Sequence, residues 1–141
     1  SISIPKSVIG IAPQAFEQCN NLTYITIPKN ISSIRLGTFY NCNSLTNITI
    51  PDSVTWIGAV AFNGCTDLTN ITIPKGINVI GRDAFSDCTN LTTIRILATT
   101  PPIIADFGIS ENVVIYVPKE SIELYKNNKY WQIYKERIKP M

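Results

Sequence analysis

The sequence predicts an α/β solenoid: a right-handed superhelix of 23-residue coils, with short parallel strands on one face and a small helical C-terminal cap. Three observations predict it. Phenylalanine recurs at 16, 39, 62 and 85, cysteine at 19, 42, 65 and 88, leucine at 22, 45, 68 and 91, and proline at 5, 28, 51 and 74, every step being 23 residues. Each period contains an Ile-x-Ile pair, and such alternation marks a strand with one buried face. Hydrophobic residues make up 45% of the 141 and charged residues only 16%, so every coil has apolar side chains to bury. A period in the twenties with apolar residues at fixed phases is the signature of a leucine-rich-repeat coil.

The elements follow in order. Ser1-Ile2-Ser3-Ile4-Pro5 aligns with Tyr24-Ile25-Thr26-Ile27-Pro28, so the chain opens inside a strand and lacks the leucine that precedes one. Solenoid ends carry polar caps, and the expectation is a solenoid over 1–118, N-terminally truncated from a longer protein. In the strands Ile25 and Ile27 point inward and Thr26 outward, as do Ile48/Ile50, Ile71/Ile73 and Ile94/Ile96 about their own middle residues. The proline after each strand has no N–H and ends the pairing. The pairs Val8/Ile11, Ile31/Ile34, Val54/Ile57 and Ile77/Ile80 are spaced by three, which suits an extended or turn-like second side. Gly58 and Gly81 then permit a sharp corner. The phenylalanines fill the widest part of the coil on a short helical or 3₁₀ turn. Stacking at about 4.8 Å converts these phases into isoleucine ladders, a phenylalanine stack and a cysteine column.

The last repeat, 97–118, is degenerate. Leu97 stands where proline is expected, Thr99-Thr100-Pro101-Pro102 forms a rigid connector, and no cysteine follows Phe107. Val113 to Pro118 restores the strand. Residues 119–141 change composition and read as a helical C-terminal cap. Leu124, Tyr125, Trp131, Ile133 and Tyr134 are expected to cover the last coil.

The formal net charge of +2 points away from nucleic acid and anionic membranes as partners. No run of about 20 apolar residues spans a bilayer. Histidine is absent, which removes the commonest general base and zinc ligand. The four cysteines fall one per coil and lack a Cys-x-x-Cys pairing. That pattern fits free buried thiols better than disulfides or zinc. No phosphate-binding glycine loop and no nucleophile–base pair occurs. Stacking could bring a carboxylate pair together, such as Asp83 and Asp106. The expectation is a non-enzymatic protein without cofactor or metal. Asn21, Asn30, Asn47, Asn70 and Asn90 begin Asn-x-Ser/Thr triplets, but these arise from the repeat itself.

The candidate contact residues lie on the outward strand positions. One column runs Ser3, Thr26, Thr49, Thr72, Arg95, Tyr116, and its neighbour runs Ser1, Tyr24, Asn47, Asn70, Thr93, Val114. Across the prolines run Lys6, Lys29, Asp52, Lys75, Ala98 and Lys119. Threonine is also simply a good exposed strand residue. Tyr24, Arg95 and Tyr116 interrupt the ladder with residue types enriched at interfaces. Trp56 replaces the Gly10, Ser33 and Val79 of other coils; it is an interaction point on the second side or a shield for the repeat edge.

Leu68-Thr69-Asn70-Ile71-Thr72-Ile73-Pro74 and Ile57-Gly58-Ala59-Val60-Ala61-Phe62-Asn63-Gly64-Cys65 resemble the BspA-like leucine-rich repeats, and Ile115 to Lys126 resembles the family's terminal segment. The resemblance implies a bacterial, extracellular or cell-surface protein-binding or adhesion module that uses its strand face. Its implied partners are host extracellular-matrix or microbial surface proteins or glycans, with membrane association only through segments beyond this stretch. The alternative is a structural spacer or stalk in a larger surface protein. The family has no universal binding residues to carry over.

Overall fold

The computed structural model describes residues 1–141. Eleven short strands form: β1 (Ile2–Ser3), β2 (Tyr24–Thr26), β3 (Ser33–Ile34), β4 (Asn47–Thr49), β5 (Trp56–Ile57), β6 (Asn70–Ile73), β7 (Val79–Ile80), β8 (Thr93–Ile96), β9 (Ile103–Ile104), β10 (Val114–Val117) and β11 (Ile138–Pro140). All pairings are parallel, and most partners lie one period apart, as in Ile25↔Ile48 and Ile71↔Ile94. One side of the solenoid carries β1-β2-β4 followed by β6-β8-β10-β11. The other carries β3-β5-β7-β9. The second side, expected to be extended or turn-like, is therefore a sheet of two-residue strands. Ile34, Ile57, Ile80 and Ile104 point into its core, while their neighbours Trp56 and Ile103 face solvent.

The third side is a train of turns rather than a helix. Asn63 N–H donates to Val60 O (3.2 Å) and Cys65 N–H to Phe62 O (3.1 Å), closing turns within the coil. The intervening donors leave the coil: Phe62 N–H reaches Ala84 O (2.8 Å) and Phe85 N–H reaches Phe107 O (2.9 Å). Every second N–H is thus spent on the next coil, and a 3₁₀ ladder cannot form. Two columns of left-handed residues bend the chain here, Gln14, Gly37, Val60 and Asp83 in one, Gln18, Asn41, Gly64 and Asp87 in the other.

Gly58 and Gly81 do not serve as left-handed corners. Their role is close approach: a Cβ on Gly58 would lie 2.7 Å from Leu36 N, and one on Gly81 would lie 2.5 Å from Ala59 N. Backbone meets backbone at these two positions, where only hydrogen fits, while the earlier coils carry Ala12 and Arg35 at the same phase.

The isoleucine ladders are buried apart from the half-buried Ile50, and Phe16, Phe39, Phe62 and Phe85 stack with ring centroids 5.4–5.5 Å apart. The Phe-x-x-Cys spacing has a bonding reason. Three of the four cysteine thiols donate to the phenylalanine carbonyl of the preceding coil: Cys42 to Phe16 (3.0 Å), Cys65 to Phe39 (3.3 Å) and Cys88 to Phe62 (3.1 Å). All four cysteines are free thiols, three of them buried and Cys19 half-buried. Burial pushes the Cys42 thiol up to about 11 and the Cys88 thiol up to about 12, and raises Cys65 further.

The stack changes at the degenerate repeat. Phe107 turns edge-on to Phe85 (6.2 Å, 81°), and Trp131 and Tyr134 pack edge-on against Phe107 in turn. Trp131 Nε1 donates to Pro102 O (2.8 Å) and Tyr125 Oη to Ala98 O (2.7 Å), so both polar tips are satisfied at the end of the core. Tyr125, Trp131 and Tyr134 cover the last coil as expected. Leu124 and Ile133 do not; they are 60% and 73% exposed. Helix α1 (Ile122–Asn127) has six residues and points Tyr125 inward, so the adjacent Leu124 turns outward. The cap is also less helical than its composition suggests. It has 3₁₀ turns at Lys119–Ser121 and Gln132–Arg137, then re-enters the sheet as β11.

Candidate functional site

The strand face is built by alternation. Because Ile25, Ile48, Ile71 and Ile94 are held in the core, the residues on either side must project outward. Tyr24, Thr26, Asn47, Thr49, Asn70, Thr72 and Arg95 are exposed, and Tyr116 is half-buried. Register sets Tyr24 beside Asn47, Thr26 beside Thr49, and Thr72 beside Arg95, which is followed by Tyr116. These candidates therefore share one surface. Trp56 does not join them: it sits on β5, in the other sheet, 42% exposed.

At one end Tyr24 lies across the threonine ladder. Its Oη accepts from Thr26 Oγ1 at 2.7 Å and lies 3.4 Å from Thr49 Oγ1. These hydroxyls, Thr26 foremost, hold the phenol below the ordinary tyrosine value. At the other end the Arg95 guanidinium lies 5.7 Å from the centre of the Tyr116 ring, within cation–π range. Lys139 on β11 comes next to Tyr116. Sequence reasoning missed Lys139, although a signal was present: Ile138 and Lys139 fall one full period after Ile115 and Tyr116.

Not every threonine is available to a ligand. Thr46 and Thr92, on the upstream edge, donate to the carbonyls of Thr23 and Thr69 in the preceding coils (3.0 and 3.2 Å). They fasten one coil to the next. Downstream, where the strands meet their prolines, a groove of about 1150 Å³ runs along the first three coils, lined by Ser3, Thr26, Thr49, Lys6 and Lys29 among others. Asp52 also lines it, and its carboxylate pairs with Lys75 at 3.3 Å. Both partners are well exposed, so the pair adds little stability, but it offsets the one negative charge here.

Asp83 and Asp106 are stacked neighbours, since Asp83 N–H donates to Asp106 O (2.8 Å). Their carboxylates serve separate turns. Ser86 Oγ donates to Asp83 Oδ1 (3.0 Å), and Gly108 N–H donates to Asp106 Oδ1 (3.1 Å).

Among solved structures, a leucine-rich repeat protein of T. pallidum is similar at 27% identity with a TM-score of 0.74, over 83% of this chain and 57% of that one. A leucine-rich cell surface protein of Faecalibacterium prausnitzii is similar at 27% identity and 0.67, over 99% of this chain and 30% of that one. A leucine-rich-repeat protein of Bacteroides ovatus gives 27% and 0.65, over 99% and 42%. The chain thus spans less than two thirds of the length of each of these relatives. No curated protein matches the sequence. The BspA type leucine rich repeat region matches residues 1–106 in six copies, and the chain belongs to that family.

Proposed function

We propose that this chain is a non-enzymatic interaction module of a secreted or cell-surface bacterial protein, binding host or microbial macromolecules through its strand face. One observation carries the reading. The outward positions of β2, β4, β6, β8 and β10 form a continuous surface without a carboxylate, with Tyr24 at one end and Arg95 and Tyr116 at the other. The repeat requires none of these three residues for its core, and tyrosine and arginine are common binding anchors. The description of the F. prausnitzii relative as a cell surface protein supports the location.

The test is binding to immobilised host matrix proteins and to bacterial surface extracts, comparing the wild-type chain with the Arg95→Ala/Tyr116→Ala double variant. Affinity should fall about tenfold or more, as for loss of an anchor pair, while thermal unfolding stays nearly unchanged. A double variant that binds its partner as tightly as wild type would discard the strand-face assignment. A second reading, a structural spacer in a larger surface protein, is favoured by the recurrence of the same buried residues in successive coils. A binding domain elsewhere in the full-length protein, coupled with no binding by this chain, would establish it.

A further inference from the structure

The groove along the first three coils differs from a peptide-binding edge in what it offers a ligand. Its floor follows Pro5, Pro28 and Pro51, which have no N–H to donate. Their carbonyls are taken by Val8, Ile31 and Val54 N–H at 3.0, 3.1 and 3.1 Å. The backbones of β1, β2 and β4 are paired with one another. The prolines and the strand-to-strand pairs therefore give a ligand that crosses the coils no main-chain groups of their own, and strand addition is not the mode this groove favours.

What the groove presents is side chains. Ser3, Thr26 and Thr49 place one hydroxyl per coil along it, at the strand spacing of about 4.8 Å. That is comparable with the length of one sugar ring. Tyr24 is anchored at the edge by its bonds to Thr26 and Thr49, and the residue remains 40% exposed. Lys6 and Lys29 line the groove without a carboxylate partner, whereas the Asp52 carboxylate is paired with Lys75. The local charge is therefore positive.

We propose that this groove binds an acidic polysaccharide. Its carboxylate or sulfate groups meet Lys6 and Lys29, its hydroxyls exchange hydrogen bonds with Thr26 and Thr49, and a ring packs on Tyr24. The proposal rests on the strand face being the binding face and names the ligand class for one end of it.

Fluorescently labelled polygalacturonate and dextran sulfate are the two anionic probes, with neutral dextran and poly-L-glutamate as comparisons. At least one anionic polysaccharide should bind, and more weakly as salt rises. Lys6→Ala/Lys29→Ala should weaken it about tenfold, the loss of two modest ionic contacts. Tyr24→Ala should also weaken it. A Lys126→Ala/Lys135→Ala variant, changed on the C-terminal cap outside the groove, should bind these probes like wild type. Circular dichroism checks each fold, and Lys6→Gln/Lys29→Gln replaces the alanine pair if that pair unfolds. No binding of either anionic polysaccharide overturns the proposal, as does full affinity in the lysine variants. Equal binding of neutral dextran or poly-L-glutamate overturns it too, the latter in favour of an acidic peptide. Matrix binding that is lost with Arg95 and Tyr116, without any polysaccharide binding, would sink this proposal alone and leave the strand-face reading standing.

Discussion

Replacing Gly81 by alanine tests whether main-chain contact sets the distance between coils. The added Cβ would stand 2.5 Å from Ala59 N, 2.7 Å from Gly58 C and 2.9 Å from Ala59 Cα. Carbon contacts are comfortable at about 3.5–4.0 Å, and all three atoms are backbone, so no side chain can swing away. The fourth coil must move by about 0.5–1 Å relative to the third to restore ordinary contact. That shift stretches the bond from Gly81 N–H to Ile57 O, now 2.8 Å. Overpacking of this kind costs about 1–3 kcal/mol, and a weakened hydrogen bond about 1 more. The sum is about 2–4 kcal/mol. With an unfolding entropy of about 0.3 kcal/mol/K for a chain of this size, Tm should fall by about 10 °C. Thermal melts followed by circular dichroism, with urea unfolding to check that the m value is unchanged, measure it. Gly10→Ala is the control, because nothing lies within 4 Å of its added Cβ. A Gly81→Ala protein melting within two or so degrees of wild type, well under that shift, would refute the idea that backbone contact sets the spacing.

Val60 offers the opposite sign. It holds φ at +50° although it is β-branched, a conformation costing about 1–2 kcal/mol outside glycine and asparagine. Val60→Asn should therefore stabilise by about 1 kcal/mol, read as a higher urea midpoint; a lower one counts against the strain. The cysteine column predicts alkaline weakening. Burial raises the folded thiols above their ordinary value of 9.0. Stability from this source is complete below the unfolded pKa and is lost as pH rises from there through the folded values. One pH unit above the unfolded value, each buried thiol contributes a loss of about 1.4 kcal/mol, or about 4 for the three. Urea melts under reducing conditions at pH 8 and pH 10 should show it, and Cys42→Ala/Cys65→Ala/Cys88→Ala should flatten the slope. Equal slopes for wild type and the triple variant would remove thiol burial as the cause.

What the sequence made legible was whatever one coil repeats from the last. Ile25, Phe62 and Cys65 announce their place by phase, and stacking turns phase into a ladder. The outward position of Tyr24 and Arg95 followed from the same alternation. Contacts between coils left no such trace. Gly58 and Gly81 looked like corners, because residue type alone does not separate a left-handed turn from a close approach. The S–H bonds from Cys42, Cys65 and Cys88 join residues 26 apart and have no local signature. Leu124 and Ile133 were misplaced because segments this short have too few residues to define an apolar face. β11 was hidden by composition: Ile138-Lys139-Pro140 reads as a polar tail unless the period is carried past the degenerate repeat.

The turn carbonyls, the threonine edge and the thiols all bond to the coil directly before or after them. This has a mechanical consequence. A force pulling the two ends apart passes through every coil-to-coil seam in series, since no bond skips a neighbour, and the weakest seam yields first. Each coil that peels away releases 23 residues, about 80 Å of extended chain. The molecule would lengthen in steps while the remaining coils keep their shape, as a ratcheted spring does, and a tethered chain of this kind absorbs shear without failing all at once.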